Sequence, residues 1–151
     1  MRNKTHLAIG VLFMIIFLQN VFNIGIFVSV FIISTLLPNL DQFGSSKRAG
    51  NMMVWKPIKH VLKPRGFLHS FTFCLIITFV FTWYLPIFAF PFFLGYSIHL
   101  LADAWTVEGI KPFWPLNNIA KGRVQTGGSL EETIFFIFVI LDIVFVFIYL
   151  V

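Results

Sequence analysis

Residues 133–151 read TIFFIFVILDIVFVFIYLV, a run with a single charged residue, Asp142. About 20 consecutive apolar residues match the hydrocarbon thickness of a bilayer. A helix that is apolar all round belongs in a large protein core or in a membrane. Four further apolar segments precede this one, at residues 7–22, 24–37, 67–85 and 87–105. The first two are short, and they predict a tight hairpin that turns at QNVFN (residues 19–23). The next two turn at LPIF, where Pro86 cannot continue a helical hydrogen-bond ladder. The expected fold is therefore all-α: a polytopic membrane helical bundle of about five helices with two cytoplasmic loops. Residues 1–151 are read as a single membrane-embedded domain.

Composition agrees. Charged residues make up 11% of the chain, against about 25% in soluble domains. Phe occurs 21 times, which suits lipid-facing helices. Cys74 is the sole cysteine, so an internal disulfide and a cysteine-based zinc site are both excluded. The N-terminus has the basic start and apolar run of a signal peptide. No clear small-residue cleavage site follows, and the segment is expected to stay in the mature chain.

The net charge of +5 admits nucleic acid as a partner, but basic residues in a membrane protein more commonly set topology. All 11 fall in three regions. Arg2 and Lys4 precede the first segment. Lys47, Arg48, Lys56, Lys59, Lys63 and Arg65 lie between the second and third. Lys111, Lys121 and Arg123 lie between the fourth and fifth. Two helical hairpins put these regions on one side, which the positive-inside rule makes cytoplasmic. The expected protein is multi-pass in the cytoplasmic (inner) membrane, with its N-terminus inside and no nucleic-acid partner.

The same topology gathers other polar groups at that face: His6, Asp41, His69, His99, Asp103, Glu131 and Glu132. His99 and Asp103 are four residues apart, so a helix points both side chains the same way. Alone, such a pair can be an ordinary helix-end hydrogen bond. Gathered with further imidazoles and carboxylates, it offers the donors that zinc accepts when cysteine is absent, and that also suit manganese or iron. Ionisable groups within spans are rare and by default functional. Arg65 reads either as a snorkelling cation or as a clamp on an anionic substrate. Ser70 either caps the third helix or orients a ligand. His60 reads as solvated or headgroup-facing. Trp83, Tyr84, Trp105 and Trp114 fit aromatic belts. Asp142 has no evident role.

These residues fall in motifs that resemble those of a known family, the LexA-regulated inner-membrane metal-dependent hydrolases known as YdjM-like proteins. THLAIG resembles the family's N-terminal histidine motif and places His6. LLPNLDQ is similar to its LLPDxD motif and places Asp41. RGFLHS resembles HRGxTHS and places Arg65, Gly66, His69 and Ser70. LGYSIHLLADAWTVEGIKPFWP is similar to GYxxHxxxDxxTxxGxxxxWP and places His99, Asp103, Thr106, Gly109 and Pro115. GGSLE resembles a late Gly-x-x-Glu motif and selects Glu131 over Glu132. The pattern departs from the family at Asn39, where relatives carry Asp, and at Pro64, where they carry His. The His-x-x-x-Asp pair is also remotely similar to the zinc-dependent phospholipases C and single-strand nucleases, an analogy of site and not of chain.

The resemblance implies a metal-dependent hydrolase. His6, Asp41, His69, His99, Asp103 and Glu131 would hold one or more divalent ions, zinc first and manganese second. Asp41 or Glu131 would accept a proton from water, and Arg65 would stabilise developing negative charge. A phosphodiester or phospholipid-like substrate suits a site at headgroup depth. The alternatives are a non-catalytic metal-binding membrane protein, structural or sensory, and a small transporter. A transporter predicts polar residues through the depth of the bundle.

Overall fold

A computed structural model describes residues 1–39 and 66–150. Asp41, His60, Pro64 and Arg65 lie outside the described residues. Within them the protein is all-helical, with five α-helices and no regular strand.

The helix ends follow local chemistry. Helix α1 runs Asn3–Leu18 and α2 runs Ile24–Leu36, the latter capped by Asn23, whose side chain accepts from the backbone N–H of Ile26 at 3.1 Å. A short 3-10 turn, Leu37–Asn39, follows α2. A second, Phe67–His69, leads to Ser70, whose hydroxyl accepts from Phe73 N–H at 3.2 Å and starts α3, Phe71–Tyr84. Of the two roles expected for Ser70, the cap is the one seen. Leu85 leaves helical geometry, and Pro86 opens α4, Pro86–Ala104. Proline is tolerated at this first helical position because its missing N–H has no intrahelical partner to lose. Helix α5 is Ser129–Leu150.

These bounds differ from the apolar runs. Helix α1 starts ahead of residue 7 because Thr5 and His6, though polar, are wholly buried in the bundle. Helix α3 loses the first residues of its run to the 67–69 turn and is 14 residues long. Two helices, α4 and α5, are long and apolar enough to cross a membrane. At 1.5 Å per residue their 19 and 22 residues span about 28 and 33 Å. Helices α1, α2 and α3 are apolar but shorter.

Helix α4 packs against α2 and α3, while α1 packs against α5, α2 and α4. One apolar cluster joins Ile9, Phe27, Phe31, Ile98 and Ala102; another joins Cys74, Phe92, Tyr96, Leu100 and Ile110. The outside is as apolar as the inside. Phe136, Ile140, Phe147 and Ile148 on α5 are each at least 60% exposed, as is Phe79 on α3. Contiguous apolar exterior on this scale belongs against lipid or another protein.

The buried polar residues lie elsewhere. Thr5, His6, Thr35, Asn39, His69, His99, Asp103 and Glu131 are all at most 3% exposed. They come from the starts of α1 and α5, the turn before α3, and the ends of α2 and α4. The hairpin connectivity brings these five ends together.

Candidate metal centre

Asp103 lies in the last turn of α4 and His99 one turn earlier, both buried. Three imidazoles surround the Asp103 carboxylate. His6 Nε2 is 3.2 Å from Oδ1; His69 Nε2 and His99 Nε2 are 3.4 and 3.5 Å from Oδ2. The α-ammonium of Met1 also donates to Oδ1, at 2.5 Å, and forms an ion pair with the carboxylate. His6 and His99 stack face to face, with centroids 3.9 Å apart and planes 12° from parallel. His69 meets His99 edge-on at 5.5 Å.

The tautomer of His99 follows from its neighbour. Its Nδ1 is 2.7 Å from the carbonyl oxygen of Thr35, which can only accept. Nδ1 therefore carries the proton, and in the neutral ring Nε2 presents a lone pair. That lone pair faces a carboxylate oxygen. Two acceptors at this separation, both removed from water, repel unless a proton or cation lies between them. Among the described residues, neither ring nitrogen of His6 nor Nε2 of His99 makes a directed hydrogen bond, although all three atoms are buried. One donor atom each from His6, His99 and Asp103 lie within 4.8 Å of one another. Nitrogen and oxygen donors so placed could hold a metal ion.

Thr35 and Tyr96, which the sequence reading did not single out, and Thr106, which a motif placed, support this arrangement. Thr35 supplies the carbonyl that orients His99, as outer-shell partners of metal-ligating histidines commonly do. The Tyr96 hydroxyl donates to the carbonyl of Leu68, tying the turn that carries His69 to α4. The only sign of it was its place in the GYSIH stretch. Thr106 closes the end of α4, its hydroxyl donating to the Asp103 carbonyl at 2.7 Å.

The structure does not bring Glu131 into this group, although it was expected as a ligand and proton acceptor. Its Oε1 accepts from Arg2 N–H at 2.5 Å and from the Thr5 hydroxyl at 2.9 Å; Oε2 accepts from Gly127 N–H at 2.5 Å. The Arg2 guanidinium lies 3.6 Å away. Arg2, the residue ahead of α1, offers the helix no side-chain cap. The buried carboxylate of α5 fills that place, meeting the Arg2 N–H and the partial positive charge of a helix start. Glu132 points outward and pairs with Arg2 at 2.8 Å. Asn39 is buried and donates its side-chain amide to Asn3 Oδ1 at 2.8 Å. Asp142 has one carboxylate oxygen buried without a hydrogen bond among the described residues.

An all-helical chain with an apolar exterior and a buried histidine–aspartate group at one end defines a membrane protein with a potential metal centre. The chain belongs to the YdjM inner membrane protein family, whose profile it matches over residues 1–151. It is 37% identical over 115 residues to the inner membrane protein YdjM of Escherichia coli K12, covering 68% of this chain and 58% of that protein. The same figures hold for YdjM of Shigella flexneri. An uncharacterised Bacillus subtilis protein, YvsG, is 32% identical over 85 residues, covering 55% of this chain and 53% of its own. The aligned region thus spans little more than half of these relatives. No solved structure matches the chain significantly.

Proposed function

We propose that this protein is a metal-dependent hydrolase of the cytoplasmic membrane. The observation that carries the reading is the opposition of His99 Nε2 and Asp103 Oδ2, two buried acceptors 3.5 Å apart with two more imidazoles against the same carboxylate. His6, His69, His99 and Asp103 would hold the ion, zinc by preference for this donor set and manganese as the next candidate. Thr35 keeps the His99 ring turned to the centre. Glu131 fixes the first turn of α1, and with it His6. From their place in the sequence motifs, Asp41 would complete the ligand set or accept a proton from water, and Arg65 would stabilise developing negative charge. A bound divalent ion supplies Lewis-acid polarisation and a nucleophile at neutral pH.

Helices α4 and α5 cross the membrane, and the α1–α2 pair enters beside them. The end bearing the site, with Arg2, Lys4, Lys111, Lys121 and Arg123, faces the cytoplasm, as the bias of positive charge requires. A reaction centre at this depth suits a phosphodiester or phospholipid-like substrate.

Complete burial of the four residues supports a second reading, a non-catalytic metal centre that is structural or sensory. The replacements Asn39 and Pro64 weigh the same way. Structural zinc sites are closed by four protein ligands, whereas catalytic sites keep a position for water. The test is metal analysis of the purified protein beside His99→Ala, followed by turnover of a generic phosphodiester. Equal metal in both proteins removes His99 from the site. Metal present in wild type without any turnover, under conditions that support other phosphodiesterases, selects the second reading.

A further inference from the structure

The chain between α4 and α5 is not a slack connection. Val107 N–H donates to Val124 O, and Val124 N–H to Trp105 O, both at 3.0 Å. Ile110 and Ala120 exchange a pair of backbone bonds at 2.9 Å, with Ile110 itself 2% exposed. Gly109 sits at φ +67°, and a Cβ there would lie 2.4 Å from the Ala120 carbonyl, so the crossover needs glycine. The far part of the loop is pinned to α3. Phe71 N–H donates to Pro112 O at 2.8 Å, the Thr72 hydroxyl donates to Trp114 O at 2.9 Å, and Trp114 packs edge-on against Phe67.

This built loop shows the wrong surface for water. Trp105, Val107, Phe113, Trp114, Leu116 and Ile119 are each between 43% and 59% exposed. Burying apolar side chains is favourable in proportion to the area removed from water, so six half-exposed ones give a strong drive to leave it. Lys111, Lys121 and Arg123 are interspersed with them, against one acidic residue, Glu108. Glu108 accepts from the Thr126 hydroxyl at 2.7 Å. Tryptophan with basic residues is the composition of a membrane–water interface. The loop also leaves both long apolar helices at the same end, which sets it at that depth.

We infer that the loop between α4 and α5 is a lipid-binding element, which seats its apolar side chains below the headgroups of the leaflet next to the site and holds anionic phospholipid with Lys111, Lys121 and Arg123. The inference needs only that α4 and α5 cross a bilayer. It is independent of any metal chemistry.

The experiment uses the full chain with Trp114 as its sole tryptophan (Trp55, Trp83 and Trp105→Phe), reconstituted in phosphatidylcholine vesicles with and without phosphatidylglycerol. Lipids brominated near the headgroup end of the acyl chain should quench Trp114 more than lipids brominated near the methyl end. Brominated phosphatidylglycerol should quench more than its phosphatidylcholine counterpart at equal mole fraction. Each of Lys111→Gln, Lys121→Gln and Arg123→Gln should lower that preference, by up to about fivefold per charge. Emission open to aqueous acrylamide and untouched by brominated lipid would overturn the inference. So would blue-shifted emission that neither quencher reaches, which would mean that protein, a second copy or a partner, covers the loop. If the tryptophan variant does not fold, Leu116→Cys in a Cys74→Ser background, carrying an environment-sensitive dye, gives the same readout.

Discussion

Gly95 of α4 lies so close to Phe31 of α2 that a Cβ on the glycine would stand 2.6 Å from the Phe31 carbonyl oxygen and 2.3 Å from Ser34 Oγ. One turn further along both helices, the Thr35 carbonyl holds His99. The close approach and the oriented imidazole are thus one feature. Gly95→Ala must part the two helices and should destabilise the protein by about 1–3 kcal/mol, as overpacking typically does. It should also free His99 Nδ1 and lower metal content. Thermal unfolding in detergent, together with metal analysis, checks both effects. A variant as stable as wild type would mean that α2 can shift without cost.

Asp103→Asn keeps the side chain's size and removes its charge. The amide cannot serve as the anionic centre for three imidazoles, so bound metal should fall to background while the helices persist. Circular dichroism and metal analysis on the same sample decide this. Full metal occupancy in the variant would place the ion elsewhere.

Glu131→Gln should behave differently. Its carboxylate accepts from two backbone N–H groups and a hydroxyl, with a guanidinium nearby. Weakening a buried, charge-assisted set of this kind costs about 1–3 kcal/mol. Amide exchange at Arg2 and Gly127 should quicken, while metal stoichiometry stays near wild type. Metal loss as complete as in Asp103→Asn would return Glu131 to the ligand set.

Asn39→Asp installs the carboxylate of the LLPDxD motif that this stretch resembles and sets it against Asn3 Oδ1, where Asn39 now donates. Without metal the variant should melt lower, since a buried acceptor then faces an acceptor, at a cost of about 1–3 kcal/mol. With metal it should recover more of that loss than wild type gains. A melting curve in chelator and in added zinc compares the two. If zinc gives no extra recovery, residue 39 lies outside the reach of the ion.

Asp142→Leu tests the transport alternative. A half-exposed carboxylate among apolar side chains in a span is costly, so the leucine variant should be as stable as wild type or more so. Metal content should not change. Loss of a vesicle ion flux shown by the wild type would instead mark Asp142 as part of a path.

The helices were legible in the sequence because their causes are local. Apolar runs, the Pro86 break and the Ser70 cap each act within a few residues. The pairing of His99 with Asp103 was legible for the same reason, since helical pitch alone puts them on one face. Hairpin topology brought His6 and His69 to the same face, the motifs agreed, and the structure does place both against Asp103. Other features required the packed bundle. Apolar runs marked which segments are greasy but not where α1 and α3 begin, because His6 and His69 owe their burial to partners from other helices. Glu131 shows the division best. Its position beside the site followed from hairpin topology, but which donors its oxygens meet depends on ångström-scale placement of α5 beside α1. That placement is set by side-chain packing between residues more than 100 positions apart, and no local pattern encodes it.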